Sequence, residues 1–337
     1  MARLCVIEGD GIGREMVPAA VRVLRAVMPE LETVPAEAGW ACFERRGMSV
    51  PEETLERIRD CGAALFGAVA SPLERVPGYR SAIVMMRQAL GLYANVRPTR
   101  SLPLHEARAE VDVLIVRENT EGLYSGRERL EGEGRAIAER VITREASTRV
   151  ARVAFELARQ GRRQRVTVVH KANILPLTDG LFRDTVRAVA EDYPDIEVDE
   201  MLVDTAAMWL ACGPERFDVV VTTNLFGDIL SDVAAVWGGG PGLAASINLG
   251  NDVSVAEPVH GAAPDIAGKG IANPIAAILS AALLLRHAWR RDNLADRVEQ
   301  AVHDVLVAGI YTPDVAQEGS QVVGTEGMVR AIVERLG

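Results

Sequence analysis

The chain has 337 residues, of which 48% are hydrophobic, 25% charged and 4% aromatic. This is the balance of an ordinary globular protein, so a largely disordered chain is excluded, and the length suits two domains or one large α/β unit. The net charge is −10, from 37 Lys and Arg residues against 47 Asp and Glu residues. So acidic a chain is a poor nucleic-acid binder, and we expect no nucleic-acid partner.

The N-terminal residues and the cysteines favour a cytoplasmic location. Met1–Arg3 lead directly into an apolar segment, so no signal peptide is expected. The longest apolar stretch, Ile271–Leu285, is too short to span a bilayer, so we expect no membrane partner. The four cysteines share no close spacing, which argues against a disulfide framework or a zinc site.

Apolar, strand-like segments alternate along the chain with segments of helical periodicity. We predict strands at Leu4–Gly11, Gly62–Val69, Val111–Asn119, Arg165–Asn173 and Phe217–Gly227. The spacing of apolar residues predicts helices at Glu15–Met28, Ser147–Arg159 and Leu181–Asp192. Strands that alternate with helices predict an α/β fold with a largely parallel sheet.

The first strand leads into a glycine-rich turn, Gly9–Gly13, that opens a helix. The full dinucleotide fingerprint is not met, because no late glycine follows and no clear acidic residue closes a second strand about 20 residues on. A tight strand-to-helix turn that needs glycine backbone freedom is therefore favoured over a Rossmann dinucleotide site.

Polar residues follow the last three predicted strands, at Arg117–Asn119, His170–Asn173 and Thr222–Asn224. Because the carboxyl ends of parallel strands meet at the ligand crevice of an α/β sheet, a functional site is predicted at these ends. Between them, Arg127–Arg144 is charged and poor in apolar residues, which predicts an arm outside the core.

Asp228 and Asp232 are four residues apart on a predicted helix, so their side chains share one face. Two such carboxylates repel one another unless a cation lies between them, and Mg²⁺ or Mn²⁺ accepts this kind of ligand. A solvated acidic helix face is the alternative. Asp204, which follows another short apolar run, is a possible third ligand.

Three arginines in apolar surroundings, Arg87, Arg97 and Arg117, suggest a binding site for a di- or tricarboxylate, because the guanidinium fork fits a carboxylate. The alternative is that each pairs with an internal Asp or Glu. Tyr124 and Lys171 are the candidate proton carriers near these arginines.

The stretch EPVHGAAPDIAGKGIANP (Glu257–Pro274) resembles the cofactor loop of the β-decarboxylating dehydrogenases. IEGDGIG, LYANVRP, VRENTEGLY, HKANILP and TTNLFGDILSD match the same family in order. The resemblance implies the two-domain isopropylmalate-dehydrogenase-like fold, with a large mixed, mostly parallel sheet. One domain would comprise residues 1–98 plus 239–337, with both termini and the cofactor side. Residues 99–238 would form the second domain, with the dimer interface and the arm.

The resemblance also implies roles for individual residues. Tyr124 matches the general acid, and Lys171 matches the general base, which acts across the interface of a homodimer or dimer of dimers. Mg²⁺ or Mn²⁺ would be held by Asp228 and Asp232 together with an Asp204 from the other subunit. The residues matching substrate contacts are Ser71, Val84, Arg87, Arg97, Arg117 and Asn173. The residues matching contacts with NAD are Asn173, Glu257, His260, Gly261, Ala263, Asp265, Ile266 and Asn273.

The motif VRENTEGLY is similar to that of the isocitrate and homoisocitrate branch of the family. This implies NAD-dependent oxidative decarboxylation of homoisocitrate, a 2-hydroxy acid with a β-carboxylate, to 2-oxoadipate and CO₂ in lysine biosynthesis. Val84 stands where such relatives can carry an arginine, and Ala262 where the loop commonly has serine. 3-Isopropylmalate and isocitrate therefore remain alternative substrates. A non-catalytic regulatory subunit is a further alternative, although the acid, base and metal residues are all present here.

Overall fold

A computed structural model of the protein describes residues 2–72, 74, 76–104 and 110–337. The chain divides into two compact units. Unit 1 comprises Met1–Leu92, Ser101–Arg108 and Gly238–Gly337, and unit 2 comprises Tyr93–Arg100 and Ala109–Trp237.

The described residues contain both α-helices and β-strands. The strands are β1 (Arg3–Gly9), β2 (Glu32–Ala36), β3 (Ala63–Ala68), β4 (Ala94–Arg100), β5 (Asp112–Glu118), β6 (Glu128–Leu130), β7 (Ala136–Ala138), β8 (Arg165–His170), β9 (Glu197–Leu202), β10 (Val219–Thr222), β11 (Ala245–Leu249), β12 (Ser254–Pro258), β13 (Ile310–Tyr311) and β14 (Gln321–Val322). The helices are α1 (Gly13–Val27), α2 (Trp40–Arg46), α3 (Glu52–Cys61), α4 (Ala82–Ala89), α5 (Arg144–Gln160), α6 (Thr178–Ala190), α7 (Val203–Cys212), α8 (Asn224–Ala235), α9 (Ile275–His287), α10 (Asp292–Val307) and α11 (Thr325–Leu336). Short 3₁₀ turns lie at Leu123–Ser125, Pro214–Arg216, Val236–Gly238 and Pro241–Leu243.

Unit 1 contains strands in the order β2-β1-β3-β12-β11. The first four are mutually parallel, and β11 pairs antiparallel with β12. One apolar core of this unit includes Ile7 from β1, Phe66 from β3 and Met86 from α4, each at most 1% exposed. Burial of side chains of this size contributes about 1.5–3 kcal/mol each to folding, so the apolar strands that the sequence indicates are also what holds α4 in place.

Unit 2 repeats this pattern with strands in the order β4-β5-β10-β8-β9. Strands β5, β10, β8 and β9 are parallel, and β4 pairs antiparallel with β5. Arg117 pairs in register with Thr222, which in turn pairs with Val169. The carboxyl ends of these three central strands therefore lie side by side, as the polar residues after them predict.

The glycine turn after β1 is filled by the protein's own groups. A Cβ on Gly9, whose φ is +71°, would lie 2.1 Å from the carbonyl oxygen of Ala68. The buried carboxylate of Asp10 accepts hydrogen bonds from the backbone N–H groups of Trp40, Ala41 and Ala70, at 2.7, 2.9 and 3.0 Å. The turn therefore has a structural role, as expected from a glycine pattern that does not meet the dinucleotide fingerprint.

Several sequence-based boundaries need correction, and two of them bear on the site. The predicted strand Phe217–Gly227 ends at Thr222, because Thr223 is the extended N-cap residue of α8. The predicted domain boundary at residues 98 and 99 lies inside β4, which pairs with β5 along all seven of its residues. Residues 93–98 therefore belong to unit 2, whereas residues 101–104 belong to unit 1, which resumes at Gly238.

The segment predicted as an arm contains the antiparallel hairpin of β6 and β7, and Leu130 in it is 72% exposed. No helix within the described ranges has an apolar stretch long enough to cross a membrane.

Candidate active site

Arg117 lies at the carboxyl end of β5 and its side chain is 1% exposed. Its Nε and Nη2 donate to Oδ1 of Asn224, at 3.0 and 2.7 Å, and its Nη1 donates to Oδ1 of Asp228. A Cβ on Gly227 would lie 2.6 Å from the Cβ and Cγ atoms of Arg117. The glycine in the motif NLFGD therefore lets this arginine lie directly against α8.

Arg97, in the middle of β4, turns towards the same helix. Its Nη1 donates to Oγ of Ser231 at 2.7 Å, and its guanidinium lies 3.3 Å from a carboxylate oxygen of Asp228 and 3.7 Å from one of Asp232. Its Nε donates to Oδ1 of Asn95 at 2.6 Å. Two nearly buried cations thus face two carboxylates on one helix face.

Tyr124 completes this cluster. Its hydroxyl donates to Oδ2 of Asp228, and the guanidinium of Arg117 lies 5.0 Å from the centre of its ring. Partial burial raises the pKa of Tyr124, and the hydrogen bond to the Asp228 carboxylate raises it further. The phenol is therefore protonated at neutral pH and can donate a proton, as a general acid must.

Asp228 and Asp232 offer oxygen ligands on one face of α8, with side chains 32% and 71% exposed. Desolvation raises the pKa of Asp232; the nearby Arg97 opposes this, and the Asp228 carboxylate adds to it. Mg²⁺ is commonly bound through one or two protein carboxylates and completed by substrate or water oxygens, so this pair fits it. Within the part of the chain that the structure describes, no three His, Cys, Asp or Glu side chains converge as metal ligands.

Lys171 and Asp204 form a separate pair in this chain. Lys171 follows β8, Asp204 lies in the first turn of α7, and Nζ of the lysine is 2.7 Å from Oδ1 of the aspartate. The hydrogen bond from Lys171 lowers the pKa of Asp204. Asn173 is exposed two residues further on. Within this chain the predicted base thus faces an acidic partner, and the predicted metal ligands Asp204, Asp228 and Asp232 do not form one cluster.

In unit 1, Arg87 and Glu257 bind one another. Nη2 of Arg87, on α4, donates to Oε1 of Glu257, at the end of β12, at 2.9 Å. The same oxygen accepts from Nδ2 of Asn248 at 2.9 Å. Arg87 thus pairs with an internal glutamate, which is the alternative that the sequence left open. Its buried Nε has no hydrogen-bonding partner among the described residues. Val84, one turn before it, is partly exposed.

The predicted cofactor loop follows β12. His260 Nδ1 lies 3.0 Å from the carbonyl oxygen of its neighbour Gly261, whereas its Nε2 is buried without a partner within the described ranges. Burial lowers the pKa of His260, so the ring is neutral near pH 7. A neutral ring that donates through Nδ1 leaves Nε2 as an unused buried acceptor, which suits an amino-bearing heterocycle such as adenine.

Other residues of the loop are held in defined positions. Asn273 donates to Asp314 at 3.1 Å and accepts from the N–H of Ile275 at 3.0 Å, so it fastens the start of α9. Ala263 has a φ of +40°, and Ile266 donates to its carbonyl oxygen in a turn that leaves Asp265 exposed.

The sequence patterns indicated Asn224 only as a polar residue after a strand, and they gave no role to Ser231 or Glu15. Asn224 and Ser231 bind the two arginines of unit 2, and both lie on the face of α8 that carries Asp228, at spacings of four and three residues. Helical periodicity could have identified them. Glu15 accepts from the N–H groups of Gly268 and Gly270 at 2.6 and 3.0 Å and supports the cofactor loop. No sequence pattern links Glu15 to Gly268 and Gly270, which lie 253 and 255 positions further along the chain.

In the loop that follows β3, Tyr79 donates to the carbonyl oxygen of Ala70 at 3.2 Å. Burial raises the pKa of Tyr79, and a hydrogen bond with Ser71 opposes that shift. Ser71 itself is exposed, as a substrate contact would need to be.

Comparisons with known proteins by family model, by sequence and by structure all give dehydrogenases of one family. Residues 3–332 match the isocitrate/isopropylmalate dehydrogenase family. The chain is 55% identical over 334 residues to an isocitrate/homoisocitrate dehydrogenase of Thermus thermophilus, covering 99% of this chain and 98% of that protein. It is 50% identical over 320 residues to a 3-isopropylmalate/3-methylmalate dehydrogenase of Methanocaldococcus jannaschii, covering 94% of each. The crystal structure of isocitrate dehydrogenase from Methylococcus capsulatus matches with a TM-score of 0.94 and 46% identity, over 100% of this chain and 99% of that one.

These matches show an oxidoreductase of the β-decarboxylating dehydrogenase class with an α/β fold. The chain belongs to the isocitrate/isopropylmalate dehydrogenase family.

Proposed function

We propose that the protein catalyses the NAD-dependent oxidative decarboxylation of homoisocitrate to 2-oxoadipate and CO₂, a step of lysine biosynthesis by the aminoadipate route. The observation that carries the proposal is the convergence of Arg97, Arg117 and Tyr124 on Asp228 in unit 2. This cluster joins anion recognition, an acid and a metal-ligating carboxylate in one place. The likeness to an isocitrate/homoisocitrate dehydrogenase supports the choice of substrate.

Arg97 and Arg117 bind the carboxylates of the substrate in this proposal. Both side chains are fixed before substrate arrives, because Asn95, Ser231 and Asn224 hold them by hydrogen bonds. A rigid guanidinium fork loses little conformational entropy on binding, and its planar geometry matches a carboxylate. Ser71 and Arg87 of unit 1, and Asn173 of unit 2, are further proposed substrate contacts.

The proposed metal is Mg²⁺ or Mn²⁺, held by Asp228, Asp232 and Asp204 of the partner subunit. When bound, it supplies Lewis-acid stabilisation of negative charge that develops on the substrate oxygens. With the cation bound, Asp228 would hold it in place of part of its contact with Arg117 and Tyr124, and those two side chains would face the substrate.

Lys171 is the proposed base and Tyr124 the proposed acid. Lys171 would take the proton of the C2 hydroxyl during oxidation, and NAD, when bound, would supply the acceptor for the hydride of C2. The β-keto acid then loses CO₂, and the electron pair left on C3 accepts a proton from Tyr124. The raised pKa of Tyr124 suits this role, because the phenol stays protonated until the carbanion-like carbon forms.

For NAD, the proposed contacts are Asn173 and the residues Glu257, His260, Gly261, Ala263, Asp265, Ile266 and Asn273. The unused Nε2 acceptor of His260 supports an adenine site. The exposed carboxylate of Asp265 can accept hydrogen bonds from a ribose, and it would repel the 2′-phosphate of NADP.

A homodimer or dimer of dimers with shared active sites is proposed, because unit 2 exposes large apolar side chains that a lone chain would leave in water. They are Leu130, Ile174, Leu177, Met208, Ile229 and Val236, all more than 50% exposed. A second copy covering them could bring its Lys171 and Asp204 to this site. The four cysteines share no close spacing in the sequence, and this suits the reducing cytoplasm as the compartment.

A second substrate, 3-isopropylmalate, is favoured by one observation. Val84 lies one helical turn from Arg87, and its aliphatic side chain offers apolar contact and no partner for a charge. We expect homoisocitrate as the main substrate, with measurable turnover of 3-isopropylmalate.

The test is a substrate panel with purified protein, NAD⁺ and Mg²⁺ or Mn²⁺, in which reduced cofactor and released CO₂ are both measured. The panel contains homoisocitrate, isocitrate, 3-isopropylmalate, malate and tartrate. The highest kcat/KM with homoisocitrate supports the proposal, whereas the highest value with another member assigns that substrate instead. Turnover of none of them would favour a non-catalytic regulatory subunit.

A further inference from the structure

Arg140 contacts two other elements of unit 2 through a side chain that is only 14% exposed. Its Nη1 forms an ion pair with Oδ1 of Asp179 on α6. Its Nη2 donates to Oγ1 of Thr223 at 2.9 Å, and its guanidinium carbon lies 4.6 Å from the ring centre of Phe226. The charge, the Nη2 donor and the flat face of the guanidinium are thus used, whereas Nη1 contacts Asp179 only as an ion pair and has no hydrogen-bonding partner among the described residues.

Asp179 connects Arg140 to the proposed base. Its side chain is completely buried, and its Oδ2 accepts the backbone N–H of Lys171 at 2.7 Å. A buried carboxylate without a cationic partner is strongly unfavourable, so the guanidinium of Arg140 beside Asp179 is needed to hold this side chain in the interior. The ion pair therefore determines where the backbone of Lys171 lies.

Thr223 and Phe226 connect Arg140 to the proposed metal ligands. Thr223 is the N-cap residue of α8 and Phe226 lies in its first turn. Asp228 and Asp232 follow on the same helix, so a contact that fixes the first turn also fixes their direction. One guanidinium thus joins the backbone of Lys171 to the helix of Asp228.

Hydrogen bonds made by residues near Arg140 hold the 3₁₀ turn that contains Tyr124. The N–H of Gly122 donates to the carbonyl oxygen of Val141 at 2.8 Å, and the N–H of Thr143 donates to Oε1 of Glu121 at 2.7 Å. Gly122 precedes the 3₁₀ turn Leu123–Ser125, in which Tyr124 lies. The residues Arg140–Thr143 are therefore connected to the turn of the proposed acid, to the backbone of the proposed base and to the helix of the proposed metal ligands.

We propose that Arg140 and Asp179 are positioning residues for the reaction, which without touching the substrate hold the start of α8 for the site of this subunit and Lys171 for the site that it enters in the partner subunit. The inference rests on the proposed function, because that function gives Lys171 and Asp228 their roles. A displacement of about 1 Å at such a distance from the reacting atoms can cost on the order of 100-fold in rate.

The experiment compares Arg140→Met and Asp179→Asn with a matched control, Arg159→Met, in the dimeric or larger protein as purified. Arg159 also pairs with an aspartate, Asp195 at 2.7 Å, and also covers an aromatic ring, Tyr193 at 4.5 Å, but lies at the surface. Measured for each variant are kcat, KM for homoisocitrate, the thermal midpoint, and the isotope effect on kcat with substrate deuterated at C2.

We expect kcat of Arg140→Met to fall at least about tenfold, with KM within about threefold of the wild-type value. The deuterium isotope effect should rise, because hydride transfer coupled to a misplaced base becomes more rate-limiting. Arg159→Met should keep the wild-type kcat and isotope effect. The Arg140→Met/Asp179→Asn double variant should lose little more than either single variant, since both act through one pair.

A folded Arg140→Met variant with wild-type kcat and isotope effect would overturn the inference, and so would equal losses in Arg159→Met. A lower activity with an unchanged isotope effect would also overturn it, because that result describes fewer folded molecules. Should Arg140→Met fail to fold, Arg140→Lys is judged by the same criteria, since lysine keeps the charge beside Asp179 but lacks the planar fork. Wild-type protein that oxidises none of the panel would overturn the proposed function and this role together, whereas an active wild type with an unimpaired Arg140→Met variant overturns this role alone.

Discussion

Units 1 and 2 contain the same arrangement of four parallel strands and one antiparallel strand, yet they present functional residues in different ways. In unit 2, Arg97 and Arg117 lie on strands and Asp228 and Asp232 on a helix. In unit 1, most predicted contacts lie in the loop after β12. Side chains on strands and helices are held more precisely than those in loops. The comparison suggests that unit 2 carries the chemistry and that the loop of unit 1 determines cofactor choice.

Asp10 and Glu15 of unit 1 differ in the same way from Asp228 of unit 2. In unit 1, Asp10 and Glu15 accept hydrogen bonds from backbone N–H groups, and so they shape loops. In unit 2, Asp228 binds the side chains of Arg117 and Tyr124. A carboxylate that holds backbone must stay in place, whereas one that binds side chains can exchange them for a cation or a substrate.

The largest expected effect is that of Asp228→Asn in unit 2. The neutral amide gives up the charge that attracts a divalent cation, so kcat should fall on the order of 10³-fold, with the thermal midpoint little changed. Steady-state kinetics across a Mg²⁺ titration measure this, with Asp184→Asn, a surface residue paired with Arg183, as the control. Full activity of Asp228→Asn in excess chelator would contradict the metal role.

Lys171→Met and Tyr124→Phe should each cost on the order of 100-fold or more, but in different steps. Lys171→Met should stop hydride transfer, whereas Tyr124→Phe should slow formation of the protonated product more than oxidation. Rapid-mixing measurements of cofactor reduction and of product formation separate the two. Loss of the same step to the same degree in both variants would show that the roles are wrongly assigned.

Cofactor choice is expected to reside in the loop of unit 1. The wild type should prefer NAD⁺ to NADP⁺ by about 10- to 100-fold in kcat/KM, because the 2′-phosphate would meet the Asp265 carboxylate. Asp265→Asn should narrow this ratio mainly through KM for NADP⁺, with kcat for NAD⁺ retained. Comparable efficiency of the wild type with both cofactors would argue against the assignment of Asp265.

Val84→Arg should change substrate preference by about tenfold. A guanidinium at this position can bind a distal carboxylate, but it is costly beside an isopropyl group. The ratio of kcat/KM for homoisocitrate to that for 3-isopropylmalate should therefore rise. Val84→Leu, which keeps an aliphatic side chain, is the control. An unchanged ratio in Val84→Arg would mean that Val84 does not contact the substrate.

The smallest expected effect concerns the stability of unit 1 in acid. Burial lowers the pKa of His287 from 6.5 to about 4, with Arg286 and Arg290 lowering it further and Asp292 opposing them. The folded form thus prefers the neutral ring, so this stabilisation is complete above about pH 6.5 and is lost as the pH falls towards 4. Thermal midpoints between pH 4 and 7 should fall less steeply in His287→Gln than in the wild type. Equal slopes would exclude His287 as a contributor.

Much of the architecture follows from local pattern. The apolar strands β1, β3, β5 and β8 and helices α1 and α5 all occur where periodicity predicts them, because each buries a continuous apolar face. The strands β2 and β9 were not predicted, since their residues are all half-buried or exposed and their sequences, ETVPA and EVDEML, are weakly apolar. Such strands are held by pairing with a neighbour rather than by their own composition.

The sequence by itself determined the family, the strand-end positions of Arg117 and Lys171, and the shared helix face of Asp228 and Asp232, because these depend on motif order and on the spacing of residues within one element. Tertiary structure alone decided that Arg87 pairs with Glu257 across 170 positions and that Arg140 reaches Asp179 and Thr223. The partners of a buried charge are set by which distant segments the sheet brings within a few ångströms, and local periodicity contains no information about that distance.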